Sequence, residues 1–325
     1  MNGRSAYGAP IAFFSRMIKY FIARVAGLVI VTLVVSFVTF AMLYQLPGGP
    51  FDQNNQPLSP AALANIRAKY QLDKPFYVVW ANYVANAARG DFGTSYKAEG
   101  KPIIEIFREQ WGASLALGLL ALGWSVPAGI LLGVVAALRR NTALDYFSRF
   151  IAIIGTTVPN FALAVILVYV FSVVLKVVPT GGWELEEPRT LILPTIIFGL
   201  LPFGTMMRFT RNGMLEALSQ DYVRVARAKG LMQNVVVFKH ALRNVLIPLI
   251  TVLAPIIPNA ITGSAILERM FRINGIGKFY IDSLTARDYP MVAATVLIVA
   301  VLWGISFLIA DVAYSIADPR IRLGK

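Results

Sequence analysis

Six apolar stretches, each close to the ~20 residues that a helix needs to cross a bilayer, dominate the sequence. Inside a bilayer, backbone polar groups must be satisfied within the segment or by a closed barrel, and unbroken apolar runs of this length are typical of helices. We therefore predict an all-α integral membrane protein with six transmembrane helices. The predicted spans cover residues 25–46, 112–138, 150–175, 191–207, 245–267 and 291–310.

The composition agrees with this class and excludes several others. Apolar residues make up 57% of the chain and charged residues only 14%, which is too apolar for a disordered or soluble nucleic-acid-binding protein. The chain has no cysteine, so disulfides, Cys-ligated metals and cysteine nucleophiles are excluded. With one histidine, a multi-histidine metal site is excluded as well.

The net charge of +13 predicts the orientation of the chain. Basic residues are enriched in the cytoplasmic loops of membrane proteins. Arg4, Arg16, Lys19 and Arg24 precede the first span, so we place the N-terminus in the cytoplasm. Six spans then return the C-terminus to the same side, and almost all of the excess positive charge falls on that side.

These boundaries divide the chain into four parts. Residues 1–24 form a cytoplasmic segment, 25–46 the first span, 47–111 an external loop, and 112–325 a core with the other five spans. The external loop contains two helical stretches, at 61–70 and 76–88, and we predict that it forms a small helical cap on the bundle.

The cytoplasmic loop at 213–243 is the most informative connection. Residues 221–229 read as a helix, and Gly230 follows where a C-terminal cap is expected. Leu231 and Met232 come next and are apolar in an otherwise basic loop. This arrangement is typical of a knob that docks into a partner protein, and a turn packed against the bundle is the alternative.

The spans carry polar but no ionisable groups near their centres, which argues against a proton-coupled mechanism. Glu268, at the external end of span five, reads as a structural or topological charge, with a substrate ligand as the alternative. The candidates for lining a transport path are Thr156, Thr157, Asn160, Asn259, Thr262 and Ser264. Alternatively, these groups bond neighbouring helices, as polar residues in bundles often do.

No nucleotide-hydrolysing or catalytic motif is present. A P-loop needs Gly-Lys followed by Ser or Thr, and none of the three Gly-Lys pairs in the chain meets this condition. We therefore predict a non-enzymatic transport subunit with no catalytic residue, no metal site and no cofactor of its own, driven by a separate motor.

Several ordered motifs resemble one family of transporters. The docking segment YVRVARAKG at 222–230, followed by HALRN at 240–244 and Pro248, resembles the cytoplasmic loop of ABC-importer permeases, in particular the B-type subunits of dipeptide, oligopeptide and nickel importers. The likeness continues in QLPGGP at 45–50, RGDFGTS at 89–95, the last external loop from Glu268 to Pro290, and DPR at 318–320. The general family pattern has Glu-Ala-Ala where this chain has Arg224-Val225-Ala226, a departure that the peptide branch shares.

The resemblance implies a type I ABC importer permease fold in a prokaryotic inner membrane. It also implies a second homologous permease, two ATPases that bind ATP and Mg²⁺, and an extracytoplasmic binding protein, with no nucleic acid. The cytoplasmic loop corresponds to the helix that couples to the ATPase. Its implied coupling residues are Arg224, Ala226, Arg227, Lys229, Gly230, Leu231 and Met232.

The cargo implied by the resemblance is a short peptide. An importer of nickel, glutathione or another small solute has the same architecture, so these cargoes remain alternatives. From a different class, a channel or secondary transporter that works without ATPases also remains open.

Overall fold

The computed structural model describes residues 8–45, 73–98, 100–184 and 186–317, and these residues are helical apart from turns and one isolated bridge between Thr94 and Pro102. The helices are α1 (Gly8–Gln45), α2 (Phe76–Ala87), α3 (Ile103–Leu138), α4 (Ala143–Thr157), α5 (Asn160–Val168), α6 (Arg189–Ser219), α7 (Asp221–Ala228), α8 (Leu242–Ile261), α9 (Ala265–Met270), α10 (Ile276–Ala286) and α11 (Tyr289–Ala317). Two π-helical segments, Tyr169–Val174 and Val235–Ala241, extend α5 and precede α8. The prediction of an all-α chain is confirmed for this part of the protein.

Five helical segments among the described residues are long and apolar enough to cross a membrane. They are Phe21–Gln45, Ile103–Leu138, Arg189–Ser219, Val235–Met270 and Tyr289–Ala313. A sixth results if Ala143–Thr157 and Asn160–Val174, which meet at 112°, form a single broken span. The chain is therefore a multi-pass membrane protein, and each of the six predicted spans falls on one of these segments.

The break between α4 and α5 has a local chemical cause. Val158 has an extended backbone, with φ −82° and ψ 127°, and Pro159 follows it. A proline disfavours the helical conformation of the residue before it and cannot donate a backbone hydrogen bond. The sequence predicted one span at 150–175, with a kink at Pro159 or its accommodation within the helix as alternatives, and the structure has the break.

Glycines bring α3 and α6 into backbone contact. A Cβ atom on Gly129 would lie 2.7 Å from the Phe203 carbonyl oxygen, and one on Gly133 would lie 2.7 Å from the Met207 carbonyl oxygen. Small residues of this kind allow close helix packing in membranes, where the hydrophobic effect contributes little. This contact forms the centre of the bundle.

α6 continues beyond the end of its predicted span. The apolar run ends at residue 207, but the helix extends to Ser219. Arg208 and Arg211 close the apolar stretch, yet arginine is a good helix former, so the charges end the span without ending the helix. The loop that follows therefore begins well past the apolar segment.

α2 packs against α1. The Trp80 Nε1–H donates to Ser36 Oγ at 3.0 Å, and the ring centroids of Phe37 and Trp80 lie 5.1 Å apart. The predicted helix at 76–88 is confirmed. The predicted helix at 61–70, residues 46–50 of QLPGGP, and the DPR motif at 318–320 lie outside the described residues.

Candidate functional site

A short helix and a left-handed glycine form the turn between α6 and α8, which we call the docking loop (residues 220–234). Gly230 follows α7 with a φ of +76°. Its N–H donates to the Arg227 carbonyl at 2.9 Å, and the Leu231 N–H donates to the Ala226 carbonyl at 3.4 Å. These two bonds form a Schellman motif, which ends a helix at a glycine. The predicted helix and its glycine cap are confirmed.

The outer side of the docking loop combines apolar and basic side chains. Met232 is 74% exposed and Leu231 is 40% exposed. Arg224, Arg227 and Lys229 are exposed as well. Exposed apolar side chains within a basic surface are suited to contact with a protein partner that has an apolar recess and acidic groups.

Ala226 faces the other way. It is buried with Val223 against Val236, and Leu218 packs beside them. The small side chain thus allows α7 to pack closely against Val236 and Leu218. Of the seven predicted coupling residues, Ala226 supports the loop from within, and the other six lie at its exposed surface.

The sequence analysis missed two exposed apolar residues on α7. Tyr222 is 38% exposed and Val225 is 53% exposed. They lie three residues apart and so share a face of the helix with each other. Val223 and Ala226 have the same spacing on the buried face, so the pattern alone does not reveal which apolar pair points outwards.

A buried ion pair joins α4 to the helix that carries the docking loop. Arg211 Nε donates to Asp145 Oδ1 at 2.6 Å, and a terminal nitrogen of the same guanidinium donates to Oδ2 at 2.8 Å. The Asn141 N–H donates to Oδ2 at 3.0 Å. Sequence reasoning missed this pair. Its only signal was an isolated acid, Asp145, in a basic connecting segment.

The break between α4 and α5 opens a pocket of about 260 Å³, which we call the bend pocket. Four of the six predicted path residues line it: Thr156, Thr157 and Asn160 at the break, and Ser264 from the opposite wall. Ile266 and Leu267 complete that opposite wall. The structure thus brings Ser264 together with three polar residues that lie about a hundred positions earlier in the sequence.

Asn259 and Thr262 are not part of the bend pocket. Asn259 is exposed on α8. Thr262 lines a larger, mainly apolar groove of about 840 Å³ between α1 and α11. The hydroxyls of Thr262 and Thr156 donate to the carbonyls of Pro258 at 2.8 Å and Ala152 at 2.9 Å in their own helical segments. The alternative was that these hydroxyls bond neighbouring helices. Among the described residues, both bond their own helical segment instead.

Glu268 is fully buried behind the bend pocket. The Ser114 hydroxyl donates to Glu268 Oε1 at 2.7 Å, and the Lys278 N–H donates to Oε2 at 2.9 Å. The Ile276 N–H donates in turn to Ser114 Oγ at 2.9 Å. We call these residues the Glu268 clamp. Its contacts favour the structural interpretation of Glu268 over that of a substrate ligand.

The RGDFGTS motif at 89–95 contacts the segment from Glu268 to Pro290. The Ser95 hydroxyl donates to Asp288 Oδ2, and the Met291 N–H donates to Asp288 Oδ1 at 3.4 Å. The Tyr83 hydroxyl donates to the Pro290 carbonyl at 3.0 Å. Burial, with a further contribution from Asp288, raises the pKa of Tyr83.

Across the described residues, no three His, Asp or Glu side chains are grouped so that they could hold a metal ion. The chain has no cysteine that could add a ligand. The candidate functional features of the described residues are the docking loop, the bend pocket and the Glu268 clamp.

The chain is similar over nearly its whole length to three curated bacterial proteins. It is 37% identical over 309 residues to the dipeptide transport system permease protein DppB of Bacillus subtilis, covering 95% of this chain and 99% of that protein. It is 37% identical over 315 residues to the oligopeptide transport system permease protein AppB of the same organism, covering 94% and 100%. It is 34% identical over 306 residues to the oligopeptide transport system permease protein OppB of Salmonella typhimurium, again covering 94% and 100%.

Among solved structures, an inward-facing form of the MetNI methionine ABC transporter aligns with 66% of this chain and 97% of its own, at 16% identity and a TM-score of 0.48. Two family models match the sequence itself. Residues 17–105 match the N-terminal model of binding-protein-dependent transport system membrane components. Residues 129–323, more than half of the chain, match the model of the inner membrane component. The chain belongs to the family of binding-protein-dependent transport system inner membrane components.

Proposed function

We propose that this chain is the permease subunit of an ATP-driven importer of dipeptides and oligopeptides, and that it forms one half of the translocation path. The observation that carries the proposal is the 33–37% identity to peptide permeases over nearly the full length of both partners. Because the similarity extends over at least 94% of this chain and 99% of each relative, it indicates the same type of subunit.

In the proposed topology the bent pair α4–α5 counts as one span, which gives six spans and places both termini in the cytoplasm. Residues 1–24 are cytoplasmic, 47–111 form the external cap that includes α2, and 112–325 form the permease core. The docking loop is then cytoplasmic, and its exposed basic residues agree with the enrichment of Lys and Arg on that side.

The docking loop is the proposed contact with an ATPase subunit. Leu231 and Met232 insert into an apolar recess of the partner, because they are exposed apolar groups at the apex of the loop. Arg224, Arg227 and Lys229 steer and orient the contact through acidic groups of the partner, an effect expected on association rate and register. ATP and Mg²⁺ bind to two partner ATPases and not to this chain.

The bend pocket is the proposed part of the path that this chain contributes. Its hydroxyl and amide groups suit the passage of a peptide, whose backbone needs hydrogen-bond partners wherever water is excluded. A second, homologous permease completes the path, and an external binding protein delivers the cargo. Asn259 and Thr262 stay outside this proposal, because neither lines the bend pocket.

Reconstitution of the assembled complex in vesicles tests the function. With the binding protein present, di- and oligopeptides are expected to stimulate ATP hydrolysis and to accumulate inside. Stimulation by nickel or glutathione, with no response to peptides, would replace the proposed cargo and keep the class. Peptide transport by the purified chain without any ATPase would refute the class itself.

A further inference from the structure

Glu268 is a buried carboxylate that the proposed transport mechanism does not use. We infer that it is a positioning residue that holds α9, and with it one wall of the bend pocket, against α3. The inference rests on the proposed function only in taking the bend pocket as part of the path. It assigns a role to a contact between two helices whose residues are 154 positions apart.

The helical backbone is interrupted on both sides of α9. Gly263 has a φ of +81°, and Arg272 has a φ of +58°. α9 itself is only six residues long and so has little stability of its own. Its position must therefore be fixed by contacts with neighbouring elements.

One face of α3 supplies these contacts. The Trp111 Nε1–H donates to the Ile261 carbonyl at 2.8 Å, where α8 ends. Ser114, three residues further along α3, donates to Glu268. Trp111 and Ser114 lie on the same face of α3, because residues three apart are neighbours on a helix. α3 thus holds the segment before the break and the segment after it.

The surrounding backbone fits closely around the Glu268 carboxyl group. A Cβ atom on Gly263, Gly275 or Gly277 would come within 3.0 Å of a Glu268 side-chain atom. These glycines leave room for one carboxylate and for nothing larger. Glu268 is therefore enclosed by backbone from three directions, which makes it a fixed point rather than a mobile surface charge.

α9 connects the Glu268 clamp to the bend pocket. Ser264, Ile266 and Leu267 line the bend pocket, and Glu268 is the next residue of the same short helix. Leu267 is also packed against Leu117 of α3 and its neighbours. Releasing the carboxylate would therefore allow α9 to move and widen the pocket.

The absence of cysteine from the chain makes a direct test possible. A single cysteine in place of Ser264 reports access to the α9 wall, by its rate of reaction with a water-soluble maleimide in the assembled complex. Glu268→Ala is expected to raise this rate about tenfold or more, because the buried hydrogen bonds of the Glu268 side chain no longer hold the wall. An unchanged rate in Glu268→Ala overturns the inference.

The Glu268→Gln variant tests whether hydrogen bonds alone hold α9 against α3 or whether a negative charge is also required. The amide oxygen accepts from the Lys278 N–H, and the amide nitrogen donates to Ser114 Oγ, so both contacts persist. The maleimide rate is therefore expected to stay within about twofold of the parent, whereas Ser114→Ala gives a value between the parent and Glu268→Ala. A Gln variant as reactive as the Ala variant would contradict the proposed role.

Two controls separate this effect from general loosening. Ser125→Cys is buried on the same helix as Ser114 and reports unfolding of the bundle; its reactivity is expected to stay low in Glu268→Ala. Equal rises at Ser125→Cys and Ser264→Cys would show global destabilisation and overturn the inference. Glu109→Ala removes a carboxylate that is 53% exposed on the same helix and should leave both rates unchanged.

The maleimide readout does not depend on transport. If peptides fail to stimulate the complex but the labelling pattern appears, the proposed function fails and the positioning role stands. If peptides stimulate the complex and the pattern is absent, the positioning role fails alone.

Discussion

Asp145 and Arg211 form the most buried ion pair in the described part of the chain, with side-chain exposures of 0% and 11%. Two hydrogen bonds join them, so the guanidinium presents its planar edge to the carboxylate, the geometry that gives strong and specific pairing. The pair fixes α6 to α4 just before the docking loop. The pair thus connects α6, which leads into the proposed ATPase contact, with α4, which ends at the break beside the proposed path.

Asp145→Ala is expected to lower the free energy of unfolding by about 3–5 kcal/mol, because it leaves a mostly buried guanidinium without its partner. The measurement is thermal unfolding of the purified chain or complex in detergent. Asp221→Ala is the matched control, since the Asp221–Arg224 pair is exposed on the docking loop and such pairs contribute little. Equal stability of the two variants would contradict a structural role for Asp145.

Gly133→Val is expected to destabilise the bundle by about 1–3 kcal/mol, because the added atoms collide with the backbone of α6. The same unfolding measurement applies. Gly123→Ala on the same helix meets nothing within 4 Å and is expected to leave stability unchanged or slightly raised. A loss in Gly123→Ala as large as in Gly133→Val would argue against close packing as the cause.

Gly230→Trp is expected to insert normally and to abolish uptake. A Cβ atom added at Gly230 would meet nothing within 4 Å in this chain, so we expect the added bulk to obstruct a docked partner. Gly230→Ala controls for the left-handed backbone, whose strain costs about 1–2 kcal/mol for any L-residue, and it should retain most of the uptake. Normal uptake by Gly230→Trp at equal membrane abundance would refute docking at this loop.

Thr157→Trp is expected to reduce peptide uptake at least tenfold while the ATPase subunits still co-purify. The large ring fills much of the bend pocket of about 260 Å³, which Thr157 lines with an exposed side chain. Ile153→Trp, one turn earlier on α4 and outside the pocket lining, is the matched control. If both variants transport like the parent, the bend pocket is not on the path.

The sequence predicted what depends on local pattern. Apolar length revealed the spans, and the glycine after a basic helix revealed the apex of the docking loop, because a Schellman cap is determined by a few adjacent residues. Pro159 left a kink and an unbroken helix as alternatives, and the 112° angle could not be predicted because hydropathy carries no direction. Pairing across the bundle escaped as well: Arg211 lies 66 positions from Asp145, and no local pattern encodes such a contact.

The length of α6 determines how the docking loop is connected to the rest of the bundle. At 1.5 Å per residue, its 31 residues measure about 46 Å, more than the ~30 Å of a hydrocarbon core. Arg211, which pairs with Asp145, lies about 12 Å along the helix from its end at Ser219 and about 33 Å from its end at Arg189. A displacement applied at the docking loop therefore reaches the Asp145–Arg211 contact, and with it α4, within about two turns of helix.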